Sequence, residues 1–400
     1  MTRNRVPRRN RQSPDIEELM QLAQSLAQSS SRLEDGFWEA RLVLLINRHI
    51  ASNDDDSLNT ALDTLSKSNP RACDALADTI EFCCESRNPG TGSEHDVLLI
   101  AAPVLAWSRY AIPSGPIMAD TLANLRVQLT AHVLAADVRL GLADILFSPD
   151  QLPQGYADTA QLAGRLAKAA LHGRNLHVDP TQLAETVNFL SDTRYLVGTI
   201  VAPKGAPLFR WQEGDRGDVE RDTVLLDWRK QGGEALRPAL PACAFDLLLP
   251  LAFHAACRDA DRLSRPYSIR ASVAFLGSTV NIEAAALCAV IALFQDSKLE
   301  EFRIGFIEPN SGNVVHGVVW PLLDATEYNT GNLPDSPDTP AQIEAVLRDC
   351  GITDVRLLEQ IFPLEYCDDC GAPLYPNREG EPMHAELPEG NASQAPQHLH

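Results

Sequence analysis

The sequence is poor in basic and aromatic residues and has no long apolar segment. Its 34 lysines and arginines stand against 54 acidic residues, which gives a formal net charge of −20, and aromatic residues make up 6% of the chain. No apolar run reaches the roughly 18 residues of a membrane-spanning helix, and no apolar stretch of signal-peptide type follows the first residues. We therefore expect neither membrane insertion nor export. The acidic balance also disfavours nucleic-acid binding over the general surface.

Recognisable catalytic motifs are missing as well. The segment 87–94 contains Gly90 and Gly92, but it precedes a predicted strand, whereas a phosphate-binding loop follows one. The nine cysteines are odd in number and lie mostly in apolar runs such as 82–84 and 287–289. This usage is typical of reduced core thiols and not of a disulfide framework. The sequence thus predicts a cytoplasmic protein, and no nucleophile or complete catalytic metal signature can be assembled from it.

The composition provides enough apolar surface for a large fold. Hydrophobic residues make up 44% and charged residues 22% of the 400 residues, and at about 150 residues per domain the length corresponds to two or three domains. We predict an α/β fold with a helical N-terminal bundle, a mixed α/β core whose two halves have a similar order of elements, and a small zinc-knuckle-like C-terminal tail. No residue-level repeat supports a duplication. The predicted segments are a disordered basic arm over 1–12, a helical bundle over 13–86, an α/β core over 95–325 with halves at 95–205 and 240–325, a linker over 326–338, a helical segment with a Cys-x-x-Cys knuckle over 339–390, and a disordered tail over 391–400.

Hydrophobic periodicity separates the bundle from the core. Ser13 and Pro14 precede apolar residues at helical spacing, and such spacing recurs up to about residue 84. Helices are also expected at about 119–135, 157–171 and 253–263. Strand-length apolar runs lie at 96–106, 138–147, 194–202, 243–249, 268–276, 289–293, 302–307 and 314–320. The sheet should therefore come from residues 96–202 and 243–320, and residues 13–86 should contribute only helices.

The N-terminal arm is a local exception to the acidic character of the chain. It carries Arg3, Arg5, Arg8, Arg9 and Arg11. Because like charges repel and almost nothing apolar is present to anchor them, we expect residues 1–12 to be disordered. A nucleic acid is an unfavourable partner for this protein except through this arm.

A Cys-x-x-Cys turn near the C-terminus has the clearest chemical meaning. Cys367 and Cys370 have the spacing of a zinc knuckle, and Gly371 accepts the positive φ that such a turn requires. A redox role needs a helix that begins at the first cysteine and lowers its pKa, but Pro373 and Pro376 oppose a helix there. A plain thiol turn is the remaining interpretation. We expect a structural zinc site.

A structural zinc ion normally has four ligands. His384 is the nearest further candidate along the chain, and the fourth ligand is left open. It could be Cys350, Glu386, His398, His400 or a residue of a second chain, which would make the site a link between two copies. The His384-Ala-Glu386 run also resembles the zinc deaminases, but those enzymes place His-x-Glu before Pro-Cys-x-x-Cys, and the order here is reversed.

Two arginines lie among aromatic residues near predicted strand ends, where many α/β folds bind ligands. They are Arg109, within 107–110, and Arg210, within 209–211. A small anion or a base could stack there, although a structural cation–π contact is the more common role of such arginines. The other polar residues of interest are Arg270 and His316, with Arg194, Tyr195 and Tyr267. A lone strand histidine is more often structural than catalytic.

Four segments resemble a family of uncharacterised proteobacterial proteins that is classified only as a domain of unknown function. They are residues 98–109, 189–195, 316–321 and 366–373, and the resemblance covers most of the chain. It implies a bacterial cytosolic protein and brings no activity, cofactor or catalytic residue.

We predict a non-enzymatic interaction or regulatory protein with a structural zinc site at Cys367, Cys370 and His384. Its expected partner is another protein or a second copy of itself, with no membrane. The alternative is an enzyme that acts on a small anionic ligand. Its candidate ligand-binding residues are Arg109, Arg210, Arg270 and His316.

Overall fold

The computed structural model of the chain describes residues 13–86, 94–187, 189–213, 220–296, 300–308, 312–323 and 339–387. The predicted arm at 1–12, linker at 326–338 and tail at 391–400 lie outside the described residues. Helices and strands are both abundant, which confirms the predicted mixed α/β class. Among the described helices, none has the length and apolar character needed to cross a membrane.

Residues 13–86 form a bundle of four helices. They are α1 (Pro14–Ala27), α2 (Arg32–Ala51), α3 (Asp55–Ser68) and α4 (Pro70–Glu85). The side chains of Ser31, Asp54 and Asn69 cap α2, α3 and α4 by accepting hydrogen bonds from amides of the first turn. Such caps satisfy donors that have no partner within a helix. The apolar faces of the four helices meet in a core of their own, mostly of leucine, isoleucine and alanine.

The first sheet is antiparallel throughout. Its strands are β1 (His95–Trp107), β2 (Gly115–Pro116), β3 (Arg139–Phe147), β4 (Ser191–Pro203), β5 (Ala244–Leu247) and β6 (Leu251–Ala252). The order is β2-β3-β4-β1-β5, and β6 pairs with β1. The central pair, β1 and β4, is in register from His95 opposite Pro203 to Trp107 opposite Ser191. Both faces of this pair are buried, which explains why each strand is an almost continuous apolar run.

Helices cover both faces of this sheet. They are α5 (Ala119–His132), α6 (Tyr156–Leu171), α7 (Arg221–Leu236) and α8 (Phe253–Phe275). Helices α5 and α7 pack on one face, and α6 and α8 pack on the other. Alternate side chains of β1 point to the two cores, as the period of a strand requires.

The second sheet contains three strands near the runs predicted at 289–293, 302–307 and 314–320, and they pair antiparallel in chain order. Its elements are β7 (Cys288–Gln295), β8 (Glu300–Ile307), β9 (Val314–Pro321), helix α9 (Thr339–Asp349) and β10 (Asp354–Pro363). The strand order is β10-β7-β8-β9, with β10 parallel to β7. Helices α8 and α9 cover one face. A short hairpin of β11 (Tyr375–Pro376) and β12 (Pro382–Met383) lies against the other.

The strand expected at 268–276 is wrong, because α8 continues without interruption from Phe253 to Phe275. Pro266 stands inside this helix and has no amide to donate to the carbonyl of Arg262. That carbonyl instead accepts a hydrogen bond from Arg265 Nε at 3.3 Å. Ile269 and Phe275 bury their side chains on the core side of the helix. A continuous helix therefore passes through Pro266.

Candidate metal centre

The Cys-x-x-Cys segment forms a tight turn closed by its own backbone. Cys367 donates its amide hydrogen to Ala372 O at 2.7 Å and accepts the amide of Gly371 at 2.8 Å. Gly371 has a φ of +73°, a conformation that other residues adopt at a cost. These bonds fold the segment back on itself and turn both cysteine side chains to the same side.

A hairpin brings His384 to this turn. Tyr375 and Met383 are paired across β11 and β12. The turn between them is held by Asn377, whose Oδ1 accepts amides of Glu379 at 3.0 Å and of Glu381 at 2.8 Å. His384 follows β12 directly, so it lies beside the residues that precede β11.

The three ligand atoms converge. The sulfurs of Cys367 and Cys370 and a ring nitrogen of His384 all lie within 4.8 Å of one another. Cys370 Sγ is 3.2 Å from His384 Nε2. A tetrahedral zinc ion holds sulfur at about 2.3 Å and nitrogen at about 2.0 Å, so its ligand atoms lie about 3.5 Å apart. The observed spacing fits one such ion after small side-chain adjustments.

Charged and polar neighbours surround two of the candidate ligands. Amide hydrogen bonds from Asp369 and Cys370 lower the pKa of the Cys367 thiol, which favours the thiolate that binds metals. Glu386 Oε1 lies 3.9 Å from Nδ1 of His384, the ring nitrogen that does not face Cys370. This separation is that of an ion pair and is too long for a hydrogen bond.

Arg303, on β8, holds the base of the turn. Its side chain is fully buried, and its Nη1 donates to Glu365 O at 2.6 Å and to Leu374 O at 2.8 Å. These residues lie just before and just after the turn. Glu301 accepts from Arg303 Nε at 2.7 Å and compensates the buried charge. One guanidinium therefore joins both ends of the turn to the second sheet.

A tyrosine ring attaches the hairpin to the same sheet. Gly305 on β8 and Gly317 on β9 are directly opposite each other and leave a hollow in the sheet surface, which the fully buried ring of Tyr375 fills. A Cβ at Gly317 would lie closer than 3.0 Å to the ring, and one at Gly305 closer than 3.0 Å to Pro376 O. Glycine is thus required at both positions because another part of the chain approaches closely.

Almost the whole chain matches a known protein family. Residues 4–398 match the model of a family described as a protein of unknown function, DUF2863. The chain belongs to this family. No curated protein and no solved structure matches it. The family description assigns no activity or ligand, so a functional assignment has to come from the geometry of the described residues.

The candidates for the fourth ligand do not join the three converging residues in the part of the chain that the structure describes. Cys350 directly follows α9, is half-buried and is not part of the metal-ligand cluster. Glu386 faces the second nitrogen of His384 and not the converging sulfurs. His398 and His400 lie outside the described residues. The described residues therefore bring together three candidate ligands of one ion.

The four residues predicted to bind an anion lie on separate elements. Arg109 follows β1 and lies over the Tyr110 ring at 5.2 Å, and Arg210 lies in a short helical turn after β4. Arg270 is on α8, and all three arginines are exposed. His316 is fully buried in β9, where its Nε2 is 2.9 Å from Ser272 Oγ. A ligand-binding role of these four residues stays a prediction.

Sequence inspection missed the residues that support the candidate metal centre, namely Arg303, Gly305, Gly317 and Tyr375. Two strand-interior glycines and an arginine flanked by apolar residues are unusual within buried strands. Those features could have indicated a close approach of another segment. They could not have identified that segment as the tail that carries Cys367, Cys370 and His384.

Proposed function

We propose that Cys367, Cys370 and His384 bind a structural zinc ion in a protein that works through contacts with another macromolecule and not through catalysis. The observation that carries the zinc assignment is the convergence of two thiol sulfurs and one imidazole nitrogen within 4.8 Å. Thiolate and imidazole donors in tetrahedral arrangement favour zinc over the hard divalent cations.

The surroundings of the three ligands support a structural role for the ion. Catalytic zinc works in a shaped cavity that controls water access. Here Cys370 is exposed, and 35% of the His384 side chain is accessible to solvent. The ion would link the turn at 367–370 to the residue after the hairpin, and such a link stabilises the folded tail by the binding free energy of the metal.

Other observations support an interaction role in a reducing compartment. Helix α2 presents Leu33, Phe37 and Leu44 to solvent on one face, and grouped exposed apolar side chains are typical of contact surfaces. All nine cysteines are free. Burial raises the pKa of the Cys83 and Cys257 thiols to about 12, so these two stay protonated and unreactive at neutral pH. We therefore propose a cytoplasmic location.

Metal analysis of the purified chain tests the zinc assignment. We expect about one zinc ion per chain, lost in Cys367→Ser and in His384→Ala. Cys350→Ser is the matched control, because it removes a half-buried thiol outside the cluster, and it should retain the metal. Replacement of zinc by Co²⁺ should give the sulfur-to-metal absorption of a site with two thiolates.

Two results would contradict the proposal. The site would be excluded if the wild-type protein contained no bound zinc after purification without chelators and after addition of zinc. Retention of zinc in Cys367→Ser together with its loss in Cys350→Ser would place the metal elsewhere. A substrate-dependent turnover that requires the bound zinc would instead disprove the structural role.

A further inference from the structure

A polar cavity lies where α8 passes the beginning of β4. Its volume is about 180 Å³, and its lining includes the carboxylates of Asp192 and Asp261, the side chains of Tyr195 and Tyr267, and three serines. Most ligand cavities are lined mainly by apolar groups and have volumes of about 300–1,000 Å³. This one is smaller and mostly polar, which indicates a small, polar occupant.

The two carboxylates differ in how they are compensated. Asp192 forms an ion pair with the fully buried Arg194, whose guanidinium also donates to Pro113 O at 2.9 Å and to Ile112 O at 2.8 Å. Asp261 forms no ion pair among the residues that the structure describes. Desolvation raises the pKa of Asp261, and the attraction of Arg265 opposes this shift. Asp261 is exposed to solvent at the cavity, Arg265 offsets part of its charge without forming an ion pair, and no lysine or arginine lines the cavity.

The remaining polar groups extend the cavity toward the second sheet. Ser191 Oγ and Ser268 Oγ are 2.9 Å apart, and both also line a smaller neighbouring cavity of about 100 Å³. Ser272 lines that second cavity, and its Oγ is 2.9 Å from His316 Nε2. Hydroxyl oxygens along this path can accept hydrogen bonds from a donor-rich ligand.

We propose that the cavity binds a small organic ammonium ion, with its charged nitrogen at the Asp261 carboxylate. An ammonium group has three donors and no acceptor, which matches a lining of carboxylate and hydroxyl oxygens. Aromatic rings such as those of the two lining tyrosines also attract cations. An anion would face both carboxylates in a lining that contains no lysine or arginine. The cavity therefore selects a ligand of the opposite charge to the one that the sequence suggested, and it does so independently of the zinc site.

Three ligands of equal chain length test the proposal on the wild-type full-length protein. They are 1,4-diaminobutane, the neutral 1,4-butanediol and the anion succinate, each titrated calorimetrically at low ionic strength. The diamine should bind saturably at least about tenfold more tightly than the diol, since hydrogen bonds to charged groups are the stronger ones. Succinate should not bind. Absence of saturable diamine binding, or equal affinity for diamine and diol, would overturn the proposal.

Two aspartates of α8 allow a matched comparison of variants. Asp261→Asn removes the carboxylate charge that has no ion-pair partner, with little change of shape, and should weaken diamine binding at least about tenfold. Asp259→Asn removes an equal charge from the same helix outside the cavity lining and should bind like wild type. If both variants lose affinity equally, the diamine is responding to overall charge and the assignment to the cavity is wrong. Thermal unfolding of each variant checks that the fold is retained.

Discussion

Replacing Gly317 by alanine should loosen the attachment of the metal-binding tail to the second sheet. The added methyl group would lie closer than 3.0 Å to ring carbons of Tyr375. The ring is fully buried and cannot turn away, because the other side of the hollow is occupied by the backbone at Gly305 and Pro376. The strand, the ring or both must therefore shift.

Two known costs bound the size of the effect. Overpacking a well-packed core destabilises a protein by about 1–3 kcal/mol. Complete displacement of a buried aromatic ring costs about 3–5 kcal/mol. We expect Gly317→Ala to lower the free energy of unfolding by about 3 kcal/mol, where the two ranges meet. Because Tyr375 begins the hairpin that delivers His384, zinc affinity should fall as well.

Urea denaturation and zinc competition titration measure the two effects. Gly164→Ala is the control, since a Cβ at this helical glycine meets nothing within 4 Å, and it should be neutral or stabilising by up to about 1 kcal/mol. In the double variant Gly317→Ala, Tyr375→Ala the two costs should be much less than additive, because the clash disappears with the ring. A Gly317→Ala protein as stable as Gly164→Ala, or additive costs in the double variant, would refute this account of the tail attachment.

Two further predictions concern buried charges. Burial raises the pKa of Glu85 from its ordinary value of 4.5 to about 7, so between these pH values the folded protein holds a proton that the unfolded chain releases. Stability should therefore fall as the pH rises from about 4.5 to about 7, by up to about 3 kcal/mol from this group. Glu85→Gln can still accept the amide hydrogen of His254, and it should flatten the dependence of stability on pH in this range, measured by thermal unfolding at stepped pH. An unchanged dependence would contradict the raised pKa of Glu85. Arg303→Met leaves Glu301 buried without its partner and should lower the free energy of unfolding by about 3–5 kcal/mol, measured by urea denaturation. Part of this loss should be recovered in the double variant with Glu301→Gln. No recovery would mean that the lost contacts with the carbonyls at the turn dominate the cost.

Local patterns allowed much of the fold to be predicted. The bundle helices and the meander of β7, β8 and β9 each carry their own periodicity, so no knowledge of distant contacts was needed. Strand β10 was missed because it is exposed along most of its length and interrupted between Leu357 and Ile361. An edge strand of this kind lacks the apolar run of a central strand. Helix α8 was predicted only to residue 263, whereas in the structure it continues past Pro266, where a side chain bonds the freed carbonyl.

In the candidate metal centre, too, residues close in sequence could be predicted and residues joined by long-range contacts could not. Cys367 and Cys370 are close in sequence, so their turn could be predicted from spacing and from Gly371 alone. His384 joins them through a hairpin that short-range patterns did not indicate, and it was named only as the nearest histidine. Arg303 acts on the turn from a distance of about sixty residues along the chain, and the sequence contains no local feature that relates the two.

These long-range contacts determine how much of the order of the tail depends on a bound metal. Arg303 closes the base of the turn, and Glu386 donates its amide to Val314 O at 2.9 Å just beyond His384. Both ends of the ligand-bearing segment are thus held to the second sheet by bonds that involve no metal. The ligands are ordered when the sheet folds, so little further ordering opposes metal binding, and affinity benefits from this preorganisation. For the same reason the sheet, including β10, does not depend on the ion, in contrast to small zinc domains that unfold when the metal is removed. Loss of zinc should then free only the ligand side chains, while the ends of the ligand-bearing segment stay bonded to the second sheet and β10 stays paired with β7.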